Sequence, residues 1–167
     1  DYMGYVASLY NVDSIPSVFL ATKEGYCAAK VETSDEDLTP EAYIKLIESK
    51  TAGLDTINTL VDAVRAASGV EKARAIDALS EATDDTRRLL LADLFRTIPS
   101  LDPNDETGLA GKYILLTAVS DASTFYMQRD FAPAIQALAS AAEDKRLSAS
   151  ERQQAYYYAG ELLTTTG

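Results

Sequence analysis

From Leu54 to Leu162 the apolar residues of this 167-residue chain recur every three or four positions, a spacing that places them along one side of successive α-helices. Leu54, Ile57, Leu60, Val61 and Val64 make a first stripe, which closes at Ser68-Gly69. Val70, Ala73, Ile76 and Leu79 make a second, and Ser68 with Glu71 has the spacing of a capping box ahead of it. Leu91, Leu94, Phe95 and Ile98 predict a third helix that stops before Pro99. Ser100 to Glu106 is polar and reads as a loop. Leu109 to Met127 is the longest helix candidate, and Tyr113 to Val119 is apolar nearly all round, as a central, buried helix would be. Ile135, Leu138, Ala139 and Ala142 follow. Ser148 and Glu151 then form a second capping box, opening a last helix with Ala155, Tyr158, Ala159 and Leu162.

Ahead of Thr51-Ala52-Gly53 the pattern changes. Asp1 to Tyr10 is short and apolar and reads as the end of a helix. Ser17 to Ala21 is a compact apolar strand, and Thr22-Lys-Glu-Gly25 is a turn with its glycine where a positive φ is needed. Tyr26 to Glu32 returns as an antiparallel strand. Ser34 to Leu38 is an acidic loop. Thr39-Pro40 opens a helix, with threonine as N-cap and proline in the first turn, where its missing N–H is harmless. The expected fold class is therefore α+β and mostly α: a short β-hairpin with flanking helices over residues 1–52, then a helical bundle or helical-hairpin array over 53–167.

The chemistry open to the chain is bounded by one cysteine and the absence of histidine. These exclude an internal disulfide, a CxxC pair and a histidine-dependent mechanism within the chain, and leave all-oxygen coordination as the route to a metal. Asp102-Pro-Asn-Asp-Glu106 is the loop that invites calcium, but it lacks EF-hand spacing and its glycine, so neither a metal nor a cofactor is expected. No GxGxxG, GxxxxGK[ST] or GxSxG motif occurs. Asp35-Glu36-Asp37 and Asp84-Asp85 read as solvated charges at helix N-termini, and Cys27 as a small buried hydrophobe. A net charge of −11 opposes nucleic acid and anionic lipid surfaces. No apolar run approaches the ~20 residues of a membrane helix, so membrane insertion is not expected. The expected partner is a protein or peptide, with a homo-oligomer allowed. Tyr156-Tyr157-Tyr158 is the candidate interface: three consecutive tyrosines spread around a helix, so at least one must approach the surface. Core packing with hydroxyls reaching water is the plainer reading of them.

Tyr10-Asn-Val-Asp-Ser-Ile-Pro-Ser-Val-Phe-Leu20, then Lys23-Glu-Gly25, a strand and the helix from Pro40, resembles the second half of a thioredoxin-like domain over about residues 1 to 50. The resemblance implies a cis peptide at Ile15–Pro16, a backbone contact from Ile15 to an extended substrate peptide, and Ser17 where the family more often has threonine. The residues alone also allow a trans proline opening an edge strand. The family's β-α-β unit with its CxxC does not occur here. Two readings follow: a non-catalytic thioredoxin-like segment with a helical binding or assembly domain, or the rear of a bacterial thiol–disulfide oxidoreductase whose CxxC half lies upstream of Asp1. The resemblance also points to a periplasmic or envelope setting. The last three helices are loosely similar to tetratricopeptide-like hairpins, without that family's aromatic–Leu–Gly signature. A purely helical adaptor with an incidental hairpin is the third reading.

Overall fold

The structure is a computed structural model that describes residues 10, 12, 17–32, 39–83 and 90–166. It is α+β and mostly α. The chain divides into two compact units, one of residues 1–67 and 75–92, the other of 68–74 and 93–167. Asp1 to Leu9, Ile15 and Pro16, the acidic loop from Ser34 to Leu38, and Asp84-Asp85 lie outside the described residues, as does the side chain of Cys27.

In the first unit, β1 (Val18–Ala21) pairs antiparallel with β2 (Cys27–Val31), Val18 opposite Val31 and Leu20 opposite Ala29, with an irregularity after Leu20. The turn forms where glycine predicts it. Gly25 has φ +88°, its N–H donates to the Thr22 carbonyl at 2.9 Å, and the Thr22 N–H donates to the Tyr26 carbonyl at 2.9 Å. The buried Thr22 hydroxyl accepts the N–H groups of Glu24 and Tyr26, and the Tyr10 hydroxyl donates to the Gly25 carbonyl at 2.6 Å. Against this hairpin packs α1 (Pro40–Ala66), started by Thr39, whose Oγ1 accepts the Ala42 N–H at 3.2 Å. Ile57, Val61 and Val64 form its buried stripe, and Arg65 in its last turn pairs with Glu24 of the hairpin turn.

The helix α1 runs unbroken through Thr51-Ala52-Gly53, where the composition change had marked a boundary between 1–52 and 53–167. Gly53 is exposed with open space around its Cβ position, so it costs the helix about 1 kcal/mol of propensity and nothing in packing. The next helix, α2 (Gly69–Ala82), buries Ala73, Ile76 and Leu79 as its spacing predicts, while the Glu71 carboxylate accepts from Arg74 at 2.7 Å, one turn onward. Its first residues belong to the second unit and the rest to the first.

The single helix expected across Leu91 to Ile98 is instead two short ones, α3 (Ala92–Phe95) and α4 (Ile98–Leu101). Pro99 does not end a helix; it sits in the first turn of α4, where no N–H is required. The second unit is then dominated by α5 (Leu109–Met127), α6 (Phe131–Ala142) and α7 (Ala149–Thr166). Tyr113, near the start of α5, is fully buried with its ring 4.8 Å from that of Phe95. The capping box at the start of α7 forms as read: the Ser148 N–H donates to Glu151 Oε2 at 2.7 Å, and the Glu151 N–H donates to Ser148 Oγ at 3.3 Å.

The loop read as polar between α4 and α5 is anchored from inside. Asp102 is fully buried, and its carboxylate accepts the Glu106 N–H at 2.8 Å, the Thr107 N–H at 2.9 Å and the Thr107 hydroxyl at 2.6 Å. The Thr107 hydroxyl is the main cause that holds its carboxyl below the usual range, against the opposing effect of burial. Asp105, at φ +54°, accepts the Ala110 N–H at 2.9 Å and so caps α5. This acidic cluster is therefore an N-terminal clamp for α5. Among the described residues no group of three or more Asp, Glu, Cys or His side chains is arranged to hold a metal.

Candidate binding cleft

Alanine spacing brings α5, α6 and α7 close. Ala118, Ala122, Ala134, Leu138, Ala141 and Ala159 form one buried cluster, and Leu115, Ala142, Leu147 and Ala155 a second. α6 packs heavily on both neighbours, while α5 and α7 meet each other less. Leu115 of α5 and Ala155 of α7 belong to the second cluster. At this end the segment before α7 also presses on α5: a Cβ at Gly111 would lie 2.7 Å from the Arg146 carbonyl oxygen. The Arg146 guanidinium fixes that segment. It donates to both oxygens of Asp144, at 3.0 and 2.8 Å, and to the Pro99 carbonyl at 2.9 Å. The same guanidinium holds the Asp144 carboxyl below its usual range.

Further along α5 and α7, towards their C-terminal ends, lies a cleft of about 210 Å³, lined almost wholly by apolar surface. Val119, Ala122, Ser123 and Tyr126 of α5 stand at i, i+3, i+4 and i+7 and supply one wall; Tyr158, Glu161 and Leu162 of α7, at i, i+3 and i+4, supply the other. Leu138 of α6 contributes from between them. The hollow exists because Ala122 and exposed Ser123 are small where the facing helix carries Tyr158 and Leu162. The Tyr126 ring rests 5.6 Å from Phe131, at the turn between α5 and α6. Gln154 Nε2 donates to the Tyr158 hydroxyl at 2.9 Å. The exposed Glu161 side chain is the one carboxylate in the lining.

The structure divides the three tyrosines taken together as a candidate interface. Tyr158 packs on the core and lines the cleft. At 100° per residue Tyr156 points to the opposite side of α7, and Tyr157 lies between, its ring 5.8 Å from Tyr158. Tyr156 and Tyr157 are exposed. Ser17 is half-buried just ahead of β1, in the other unit, and Ile15 and Pro16 lie outside the described residues. Of the other cleft residues, Val119, Leu138 and Leu162 were legible as core positions, and Ala122, Ser123, Tyr126 and Glu161 were not singled out. Their signal was the small Ala122-Ser123 pair inside an otherwise bulky stripe, and it becomes a hollow only when α7 stands opposite.

A family described as "Uncharacterised protein C-terminal domain" matches residues 109–167. That match begins at the first residue of α5 and takes in the whole cleft. A relative in Treponema pallidum (strain Nichols), an uncharacterized protein, is 29% identical over 153 residues, covering 90% of this chain and 50% of its own length. The chain thus spans about half the length of the relative it matches. No solved structure matches the chain. No helix among the described residues is long and apolar enough to cross a membrane.

Proposed function

We propose that this chain is a non-catalytic protein-binding module, in which the cleft of α5, α6 and α7 receives an apolar anchor side chain from a protein or peptide partner. The observation that carries this reading is the size and lining of the cleft. About 210 Å³ is below the ~300–1,000 Å³ typical of cofactor and small-molecule pockets, yet it accommodates one or two large side chains. Interface anchors enter apolar, aromatic-walled hollows of this kind, which the bound partner then closes off from water. The lining also lacks the parts of an active site: Glu161 has no second carboxylate beside it, and Ser123 has no lysine or histidine to activate it.

The test is a methyl NMR titration of the chain with a leucine-faced helical peptide. Shifts confined to Ala122, Leu138, Leu162 and their neighbours, and abolished by Ser123→Trp, support the module. Ser123 is exposed, so the indole fills the cleft without disturbing the core. An unchanged spectrum, or shifts indifferent to Ser123→Trp, refutes it.

The hairpin and α1 fit a thioredoxin-like scaffold in the order strand, glycine turn, antiparallel strand, helix, and the module would then be an appendage to that scaffold. A second reading, the rear of a thiol–disulfide oxidoreductase with its CxxC upstream, is favoured by the chain's spanning half of its relative. A disulfide-reduction assay on the full-length protein, with and without thiol alkylation, tests it. Activity lost on alkylation supports the enzyme, and inactivity in the unalkylated protein rejects it.

A further inference from the structure

Resting on the reading of the cleft as a protein-binding site, we infer that its occupant is a basic amphipathic helix, with apolar side chains in the hollow and a lysine or arginine against Glu161. Three observations converge on this class. The first is architectural. α5 and α7 each pack on α6 far more than on each other, and both line the hollow. The walls are rows at i, i+3, i+4 and i+7, ridges that a helix meets with side chains of the same spacing.

The second is the volume. About 210 Å³ takes one or two anchors, so the rest of such a helix lies along the rim, where Tyr126, Glu161 and exposed Ser123 stand.

The third is charge. Glu161 is the one formal charge in the lining, it is exposed at the edge, and the chain carries a net −11. An acidic segment meets repulsion from both the near carboxylate and the far field, and so does a second copy of this chain. A cationic segment is attracted by both, and one whose basic residues flank an apolar face places them at the rim while the anchor enters.

The experiment uses two synthetic helical peptides of about 18 residues with the same leucine face, one with lysine and one with glutamate on the polar face. Binding is read by fluorescence anisotropy against the wild-type chain, Ser123→Trp and Glu161→Lys. The lysine peptide is expected to bind at least ~10-fold tighter than the glutamate peptide at low salt. Glu161→Lys should weaken the lysine peptide by ~3- to 10-fold, 0.5 M salt should shrink the difference between the peptides, and Ser123→Trp should abolish binding. Equal binding of both peptides, lost in Ser123→Trp, overturns the basic-helix assignment and leaves the module standing. No binding, or binding unaffected by Ser123→Trp, overturns both. A concentration-dependent dimer in sedimentation that Ser123→Trp disrupts makes a second copy the occupant and also overturns the assignment.

Discussion

Replacing Gly111 by alanine should destabilise this protein, although alanine is the better helix former. Gly111 is the third residue of α5, and removing glycine from a helix gains at most about 1 kcal/mol, less in a first turn. The added Cβ, however, would sit 2.7 Å from the Arg146 carbonyl oxygen and 3.2 Å from Glu151 Oε2. Relief requires a shift of several tenths of an ångström. The 144–147 segment resists it, because the Arg146 side chain is tied to Asp144 and to Pro99, and Glu151 is committed to the capping box of α7. Overpacking of this kind costs about 1–3 kcal/mol, so the net effect is a loss of about 1–2 kcal/mol. For a chain of this size that lowers the midpoint of thermal unfolding by ~2–8 °C.

Gly160→Ala is the control of opposite sign. It lies inside α7 with open space where the Cβ would go, so it should raise the midpoint by ~1–4 °C. Far-UV circular dichroism on the full chain reads both. A third variant, Gly111→Ala with Arg146→Leu, should show a smaller additional penalty than Gly111→Ala alone, because the segment can then yield. A neutral or stabilising Gly111→Ala refutes the close approach of α5 to Arg146.

Asp102→Asn should weaken the clamp on α5 at neutral pH, since Glu106 and Thr107 donate to different carboxylate oxygens and an amide has only one acceptor oxygen, its other end being a donor. Because the native carboxyl is held below its usual range, the wild type's advantage is complete above the unfolded value near ~4 and disappears as pH falls through the depressed one. Urea unfolding of wild type and variant from pH 7 to pH 2 should therefore converge at the acid end, and a gap constant with pH contradicts the assignment. Ser148→Ala should cost about 0.5–2 kcal/mol through loss of the box on α7, seen as a lower denaturant midpoint with unchanged slope. Tyr156→Ala should lie within about 0.5 kcal/mol of wild type, and Tyr158→Ala should lose about 1–2 kcal/mol; equal effects would contradict their opposite placement on α7.

What the residues announce best are local backbone decisions. Thr39, Gly25 and the Ser148–Glu151 pair each meet a need that arises within a few positions of themselves, so their reading holds. Thr51-Ala52-Gly53 misleads for the same local reason. Glycine and threonine weaken a helix slightly, but α1 carries them on an exposed stretch, with the Thr51 hydroxyl donating to the Glu48 carbonyl at 2.6 Å. Pro99 starts a helix rather than stopping one, because both roles suit its fixed φ and only the following residues choose. Asp102 reads only as part of a polar loop, and its burial goes with Thr107 folding back over it. The cleft is the least legible part. Val119 to Tyr126 and Tyr158 to Leu162 are each ordinary stripes, and the gap between them is a property of their pairing.

The tight crossing at Gly111 also has a kinetic meaning. A turn-by-turn slide of α5 would bring bulkier residues such as Ile114 or Leu115 against the Arg146 carbonyl, so the helix is locked in register. The hollow further along the same helix then inherits a fixed width and can adjust only through rotation of side chains such as Tyr126 and Leu162. A visitor to such a receptacle orders little on arrival, so variants of one ligand should differ chiefly in how long they stay rather than in how fast they arrive.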